Sequence, residues 1–558
     1  MKIKSYVIAL LASLAFGAPV SAAETLIENV NGYSLDSTGK LIRFQAMLIA
    51  DGKVAAIGSH AELTARTSKL VHVIDGKNRT LLPGLIDAHG HVMNLGINIL
   101  QANLVGTPSL DAALLKVKNY AATNTRMPWI LGRGWNQEIW KLGRFPTAQE
   151  LDAVVADRPV FLERIDGHAA WVNSAALKIA GINKDSKDPV GGHIERDADG
   201  NPTGVLVDVA MELVTKTIPP ATAKQQAEAL DGALAEMASV GLTSVGDAGI
   251  GWTEFNLYKD YADQGKLTAR LYAMIGGVGE DFKKISANGP LIAYGGDYLT
   301  VRSVKLYADG ALGSRGAALH APYSDQPSNS GLLFNTQAEL NAMVGKGLSK
   351  GYQVNVHAIG DKANSQVLDA FEAAYALHGG KNLRNRIEHA QVVALKDIPR
   401  FVPLQLIASM QPTHATSDMN MAEDRIGAER IKGAYAWQVF LKQGTRIAGG
   451  SDFPVESANP FFGIHAAVTR QDDHNKPTGG WYPEQAMSVL EAFRAFTLDA
   501  AYAAHAEKTQ GTLEPGKWAD FILIDRDIFN IDPSQIRSTK VLETWVGGKP
   551  VYVNTLNK

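Results

Sequence analysis

The chain of 558 residues contains no cysteine. This absence excludes disulfide bonds, thiolate metal sites and a cysteine nucleophile. It also excludes a lipid anchor attached to an amino-terminal cysteine. Any bound metal ion must therefore be held by histidine, by carboxylate or by a less usual side chain.

A strong charge of either sign is also lacking, because 54 basic and 57 acidic residues give a net charge of −3. This balance favours neither nucleic acid nor an anionic membrane surface as a partner. The sequence also lacks the Gly-X-X-X-X-Gly-Lys-Ser/Thr loop that binds nucleotide phosphates. With 46% hydrophobic and 20% charged residues, the chain has the composition of a globular protein long enough for two or more structural units.

The first 22 residues predict a signal peptide. Lys2 and Lys4 precede the apolar run 6–16, and Val20-Ser21-Ala22 offers the small residues that a signal peptidase reads. The apolar run is shorter than the about 20 residues that span a bilayer. We therefore expect cleavage close to Ala22 and a periplasmic or secreted protein with no membrane anchor after cleavage. A buried amino-terminal helix is the alternative.

Both ends of the mature chain contain short apolar runs of strand type. Asp51-Gly52 and Asp75-Gly76 follow two such runs near the amino terminus, and Asp-Gly is a hairpin signal. Similar runs occupy 520–524 and 541–546 near the carboxyl terminus. We predict one small β-sandwich domain built from residues 23–82 and 505–558.

The middle of the chain alternates apolar strands with amphipathic helices. Eight candidate strands occur there: the run into His89, Thr243–Asp247, Ala269–Ile275, Val301–Tyr307, Gln353–His357, Arg386–His389, Gln405–Met410 and Arg446–Asp452. Eight such units predict an α/β fold with a (β/α)8 TIM-like barrel over residues 83–504. The interval between the first two strands is too long for one unit, which predicts an insertion over roughly residues 95–235.

The pair His89-Gly90-His91 lies at the end of the first candidate strand. Two imidazoles one residue apart on a strand project from the same face and can bind one cation. The alternative is that one histidine caps the strand while the other packs in the core. Five further residues of ligand type end other candidate strands: Asp247, Lys305, His357, His389 and Asp452. Barrel enzymes build their active sites at that end, which favours the metal site.

Several motifs in order identify a resemblance to a known family. They are 83–91 (PGLIDAHGH), 305–315 (KLYADGALGSR), 356–361 (VHAIGD), 386–389 (RIEH), 450–454 (GSDFP) and 513–522 (LEPGKWADFI). The chain resembles the amidohydrolase superfamily, in its family-3, YtcJ-like branch, and is similar to N-substituted formamide deformylases.

The resemblance implies a site with two divalent metal ions, for which zinc is the expected metal. His89 and His91 would hold one ion with Asp452 as a further ligand, and His357 and His389 would hold the other. Lys305 would bridge the two ions as a carbamate formed with carbon dioxide. A protonated ammonium cannot ligate a cation, so Lys305 must be neutral or carboxylated. The alternative for Lys305 is an ion pair with a carboxylate.

The expected reaction is hydrolysis of a carbonyl C–N bond in a small amide, N-acyl or N-formyl substrate. The metal ions would acidify a water molecule, and the catalytic Asp452 would move the proton. Two alternatives stay open: a mononuclear deaminase of a cyclic amidine, and a periplasmic ligand-binding protein without catalysis. A homodimer is a further open option.

Four residues are candidates for contact with the substrate. In segments that resemble the inserted region of this branch, we expect Trp135 to form an apolar wall and His168 a polar contact. Arg315 and His414 lie on predicted loops at the rim of the barrel. Packing is the alternative role for Trp135, and a salt bridge is the alternative for Arg315. Asp361 and Glu388 are expected to orient their neighbouring histidines.

Overall fold

The computed structural model describes residues 24–67, 71–125, 127–165, 167, 169–189 and 192–555. The predicted signal peptide, residues 1–22, and the candidate contact His168 lie outside these ranges. Within them, no helix combines the length and the apolar character needed to cross a membrane.

Eight parallel strands form a nearly closed barrel, which confirms the predicted fold class. They are Leu85–Gly90, Leu242–Ile250, Arg270–Gly276, Leu299–Tyr307, Gln353–Ala358, Arg386–His389, Ile407–Met410 and Ile447–Gly449, here called barrel strands 1 to 8. Each strand is hydrogen-bonded to the next in chain order, and a short strand, Leu291–Ala293, pairs with strand 4. Most residues of these strands are buried, as in a sheet covered on both faces.

The gap between strands 8 and 1 is bridged at their carboxyl ends. The amide of Asp452 donates to the carbonyl of His89 at 2.7 Å, and the amide of His91 donates to the carbonyl of Phe453 at 2.8 Å. Strand 8 was predicted to reach Asp452 but ends at Gly449, and the residues after it form these bridging contacts instead. The closure brings the histidine pair beside Asp452.

Helices and short helical segments surround the barrel. They are Val92–Ile99, Ala223–Ser239, Trp252–Asp263, Glu280–Ile285, Tyr294–Asp297, Gln337–Ser349, Asp361–His378, Phe401–Leu404, Pro412–Asp418, Ala422–Arg430, Trp437–Lys442, Pro460–Thr469, Val489–Ala495 and Leu498–Ala503. Gln337–Ser349 illustrates how the sequence specifies such a helix: Thr336 and Glu339 form a capping box at its start. Leu340, Val344 and Leu348 then repeat every four residues and are buried against the barrel.

Two sheets at the chain ends form the composite domain. One sheet has the order Lys53–Gly58, Ala46–Ala50, Thr25–Glu28, His72–Asp75, and a short helix, His60–Thr64, packs on it. The other has the order Lys549–Val553, Val541–Val546, Phe521–Ile524, Thr80–Pro83, Asn31–Leu35, Leu41–Phe44. Met47 of the first sheet shares a buried cluster with Leu81 and Phe521 of the second, so the two sheets pack face to face. Strands from both chain ends therefore build one sandwich.

The insertion between barrel strands 1 and 2 has its own mixed sheet. The strand order is Gly192–Arg196, Pro202–Asp208, Ala169–Val172, Val160–Arg164, Ile130–Trp135, Ala102–Asn103. Its helices are Leu110–Thr123, Ala148–Asp152, Ser174–Ala180 and Glu212–Thr215. The helices on either side of the insertion, Val92–Ile99 and Ala223–Ser239, pack closely against each other. Gly96 permits this contact, since a Cβ at that position would lie 1.9 Å from the carbonyl oxygen of Ala229.

Candidate metal centre

The six predicted ligand side chains meet at the carboxyl end of the barrel. His89 is fully buried, and its Nε2 lies 3.0 Å from Lys305 Nζ and 3.6 Å from Asp452 Oδ1. His91 Nε2 lies 3.0 Å from the same Asp452 oxygen. Strands 1 and 4 and the segment after strand 8 thus supply one half of the cluster.

Strands 5 and 6 supply the other half. The rings of His357 and His389 are 4.5 Å apart between centroids, and the rings of His89 and His389 are 4.9 Å apart. One ligand atom each from His89, His389 and Asp452 lies within 4.8 Å of the other two. A single cation can therefore be reached by side chains from three parts of the chain.

The charge state of the histidines suits a metal ion. Burial lowers the pKa of His89 to about 4 and that of His357 to about 3, and it also holds the pKa of His389 well below its usual value. All three imidazoles are neutral at pH 7, which is the form that ligates a metal. The buried Nε2 of His357 has no hydrogen-bond partner among the described residues, so a cation would satisfy an otherwise costly acceptor.

Asp452 carries the negative charge of the cluster. Burial alone would raise its pKa, but the hydrogen bond with His91 and the neighbouring histidines His89 and His389 hold the pKa well below the usual value. The carboxylate is therefore ionised at neutral pH. It can ligate a cation or accept a proton.

Lys305 is buried without an ion pair within the described chain. Burial lowers its pKa to about 8, although Glu388 and Asp452 oppose this shift. About a tenth of the amine is therefore neutral at pH 7, and the neutral form is the one that a metal-ligating or carboxylated lysine requires. The paired lysine considered as the alternative is not found, since Nζ lies against His89 and 4.8 Å from the centre of the Tyr307 ring.

Glu388 fixes the orientation of His89. Its carboxylate accepts a hydrogen bond from His89 Nδ1, which leaves Nε2 facing the cluster. Arg386 holds the same carboxylate through Nε at 2.6 Å and Nη2 at 2.8 Å. We expected Glu388 to orient its sequence neighbour His389, but His389 Nδ1 instead contacts Gln411 Oε1 at 2.8 Å. Glu388 is thus a positioning residue for a different histidine than predicted.

Two further buried aspartates hold the rim loops and were missed by the sequence reasoning. Asp87 accepts hydrogen bonds from the amide of His89 at 3.0 Å and from the hydroxyl of Ser451 at 2.6 Å. Burial raises the pKa of Asp87 to about 7. The sequence feature that could have indicated this role is the presence of an acidic residue inside the apolar run that leads to His89. Asp87 ties the histidine pair to the segment that carries Asp452.

Asp309 joins the loops after strands 4 and 5. It accepts hydrogen bonds from the amides of Ala318, Ile359 and Gly360 at 2.8 to 3.0 Å. Its Oδ1 also lies 3.6 Å from His357 Nε2. Asp361, which we expected to orient His357, instead accepts a hydrogen bond from the amide of His320 at 2.9 Å.

Among the four candidate contacts, His414 lies in the cluster. Its ring stacks on His389 with centroids 5.9 Å apart, and its Nε2 lies 3.8 Å from Asp452 Oδ2. Arg315 instead forms a two-point salt bridge with Asp325, as the alternative proposed. The strand-end residue Asp247 is also structural, because it accepts hydrogen bonds from the amide of Val92 and the hydroxyl of Tyr258.

The expectation for Trp135 requires a correction. The side chain is fully buried in the core of the insertion, against Trp140, Trp171 and Phe145. Its Nε1 donates to the carbonyl of Leu162 at 2.7 Å. Because it is fully buried, Trp135 exposes no surface that a substrate could touch. Its large apolar ring stabilises the inserted sheet instead.

The parallel barrel and this cluster define the class of metal-dependent hydrolases. The family comparison agrees with this class: a profile of the Amidohydrolase family (Amidohydro_3) matches residues 72–552. The chain belongs to this family.

Similar proteins support the assignment over most of the chain. YtcJ of Bacillus subtilis (strain 168) is 34% identical over 524 residues, which are 91% of this chain and 96% of that protein. The N-substituted formamide deformylase of Arthrobacter pascens is 26% identical over 547 residues, which are 95% and 99% of the two chains. The crystal structure of an uncharacterized metal-dependent hydrolase from Pyrococcus horikoshii OT3 superimposes with a TM-score of 0.77 at 29% identity, over 92% of this chain and 99% of that one.

Proposed function

We propose that the chain is an exported, binuclear metal hydrolase that cleaves a carbonyl C–N bond in a small amide, N-acyl or N-formyl compound. The observation that carries this proposal is the position of the buried, weakly basic Lys305 beside His89, within a cluster of neutral histidines. The similarity to an N-substituted formamide deformylase supports the choice of an amide-type bond.

In this proposal the six residues divide between two ions, with zinc as the expected metal. His89, His91 and Asp452 would hold one ion, and His357 and His389 would hold the other. Lys305 would be a further ligand of both as the carbamate that its neutral amine forms with carbon dioxide by loss of a proton. When bound, the ions make a water molecule acidic near neutral pH and polarise the substrate carbonyl.

Asp452 then transfers a proton from the attacking water to the leaving group. Asp452 is ionised before the reaction, so it accepts the proton of the attacking water. The same carboxyl group returns this proton to the nitrogen that leaves. In this proposal His414 hydrogen-bonds the substrate beside Asp452, because its buried Nε2 has no hydrogen-bond partner in the described chain and lies 3.8 Å from Asp452 Oδ2.

Metal content and activity of a Lys305→Ala variant test the proposal. The wild-type protein should contain two ions per chain and hydrolyse at least one compound in a panel of N-formyl amines, N-acyl amines, lactams and esters. Lys305→Ala should lose activity at least about 100-fold and retain fewer than two ions. A control variant, Lys283→Ala, removes an exposed lysine and should leave both quantities unchanged.

Each alternative has its own outcome. Full activity of Lys305→Ala with one ion per chain would favour a mononuclear enzyme such as a deaminase. Tight binding of a compound by the wild-type protein without any product would favour the ligand-binding protein.

Export is proposed from residues 1–22 alone and has a separate test. When the full chain is expressed in a Gram-negative host, the mature protein should be recovered in the periplasmic fraction and should begin close to Ala22. Recovery in the cytoplasm with Met1 intact would contradict export.

A further inference from the structure

A second cavity lies at the amino-terminal end of the barrel, opposite the metal centre. Its volume is about 260 Å³. The first residues of barrel strands 2, 3 and 4 line it, together with the segment 504–510 that follows the last helix of the barrel. We call it the basal cavity, and no step of the proposed reaction uses it.

Arg302 of strand 4 lines the basal cavity. Its Nε is buried without a hydrogen-bond partner, and the guanidinium forms no ion pair within the described chain. Leaving a buried donor unsatisfied is costly, and the cost is higher for a charged group. An acceptor that enters the cavity would remove this cost.

The carboxylates near the cavity already have partners. Asp520 binds Arg270 through both oxygens, at 2.7 and 3.0 Å. Asp297 accepts a hydrogen bond from the indole of Trp518 at 2.8 Å. Glu507 is paired with Arg384, at 2.7 and 2.9 Å. None of the three forms a salt bridge with Arg302. Asp297 lines the cavity itself and keeps its negative charge, because its partner is a neutral indole, so a bound anion depends on the excess of positive charge from Arg302 and Lys508.

Two more residues can complete a binding site around Arg302. Lys508 is an exposed cation that also lines the cavity. Gln510 is buried, and its Oε1 has no hydrogen-bond partner in the described chain. Because a half-turn of the amide exchanges its oxygen and nitrogen, Gln510 can either accept from a ligand or donate to one.

We propose that the basal cavity binds a small oxyanion, with Arg302 and Lys508 as charged donors and Gln510 as a neutral partner. The planar guanidinium suits the two oxygens of a carboxylate and also binds a tetrahedral anion. The volume accommodates a ligand of several heavy atoms. This site does not depend on the proposed hydrolytic function.

Calorimetric titration of the metal-loaded protein tests the proposal, with sodium sulfate and sodium acetate as probes at constant ionic strength. We expect saturable binding of at least one probe. Arg302→Gln should weaken that binding at least tenfold without changing the metal content. Arg66→Gln removes an exposed arginine that does not line the cavity and should leave the affinity unchanged.

The two probes distinguish a tetrahedral from a planar anion. Binding that survives in Arg302→Gln with wild-type affinity belongs to another site, such as the metal centre, and would overturn the proposal. The absence of saturable binding of either probe would overturn it as well. If Arg302→Gln does not fold, Lys508→Gln decides, because undiminished binding in that variant would also contradict the assignment.

Discussion

At the level of single side chains, the cluster depends on buried partners that hold each ligand in one orientation. His89 shows this most clearly, because the Arg386–Glu388 pair fixes its Nδ1 and leaves its Nε2 facing Lys305 and the cluster. Such partners tune metal affinity although they do not touch the metal.

Replacing Glu388 by glutamine should therefore weaken metal binding. Glu388→Gln removes the charged acceptor for His89 and leaves Arg386 buried without its carboxylate. We expect the affinity for zinc to fall about 10- to 100-fold in a competition with a chelator. Ser409→Ala, which removes only a neutral contact of Arg386, serves as the control. Equal affinities of Glu388→Gln and the wild type would show that the pair does not position His89.

Trp135 should behave as a core residue. Trp135→Phe leaves the carbonyl of Leu162 without its donor, so we expect the free energy of unfolding to fall by about 1–3 kcal/mol. The KM for any substrate found should not change. Denaturant unfolding and steady-state kinetics check the two parts, with exposed Trp252→Phe as the control. A raised KM at unchanged stability would contradict this and support the first expectation, that Trp135 forms an apolar wall of the substrate pocket.

At the level of strands and loops, the rim between strands 8 and 1 is tightly packed around two glycines. A Cβ on Gly90 would lie 2.4 Å from the ring of Phe453, which explains why a small residue separates the two histidines. A Cβ on Gly450 would lie 2.7 Å from both Asp87 Oδ1 and the amide nitrogen of His89.

Adding a methyl group at Gly450 should disturb the metal centre through the backbone. Gly450→Ala must displace Asp87 or His89, so we expect a loss of about 1–3 kcal/mol in unfolding free energy together with a lower metal content. Gly279→Ala is the matched control, because its φ of −83° is ordinary and its Cβ would meet no atom within 4 Å. If both variants behaved alike, the tight packing of the rim would not matter for metal binding.

The sequence predicted the barrel because eight apolar runs of strand length alternate with amphipathic helical segments, and six of these runs carry a residue of ligand type at or near their carboxyl end. It did not predict the support of Asp87 and Asp309, since their partners are backbone amides and hydroxyls of loops whose paths a sequence does not specify. The expectation that Glu388 orients His389 failed for a related reason. It assumed that side chains alternate regularly along the strand, but His389 has a φ of 72°, and this turns its ring out of that alternation.

For the molecule as a whole, the two chain ends are joined through one strand. Thr80–Pro83 lies between strands from both ends and leads directly into barrel strand 1. The sequence predicted this composite domain from similar apolar runs at both ends. The packing of the insertion was not predictable, because Trp135 offers the same signal whether it lines a pocket or fills a core.

Acid should destabilise the metal-free protein through histidines such as the partly buried His505. Burial and two nearby arginines lower the pKa of His505 to about 4, whereas in the unfolded chain it is about 6.5. The unfolded state therefore binds more protons between these values. Stability that is fully present above pH 6.5 is lost as the pH falls toward 4.

The variant His505→Gln isolates this effect, since it keeps a donor for the carbonyl of Leu383. The wild type should lose about 2 kcal/mol more than the variant between pH 7 and pH 4, measured by urea unfolding of both metal-free proteins. Parallel losses in the two proteins would mean that His505 titrates alike in the folded and unfolded states.

The central claim is that Lys305 bridges two ions in the cluster of four histidines and Asp452. Anomalous X-ray diffraction at the zinc edge, from crystals of protein supplied with zinc and bicarbonate, tests it most directly. We predict two anomalous peaks, one beside His89, His91 and Asp452 and one beside His357 and His389, with carbamate density extending from Lys305 Nζ. A single peak together with a bare Lys305 amine would contradict the account.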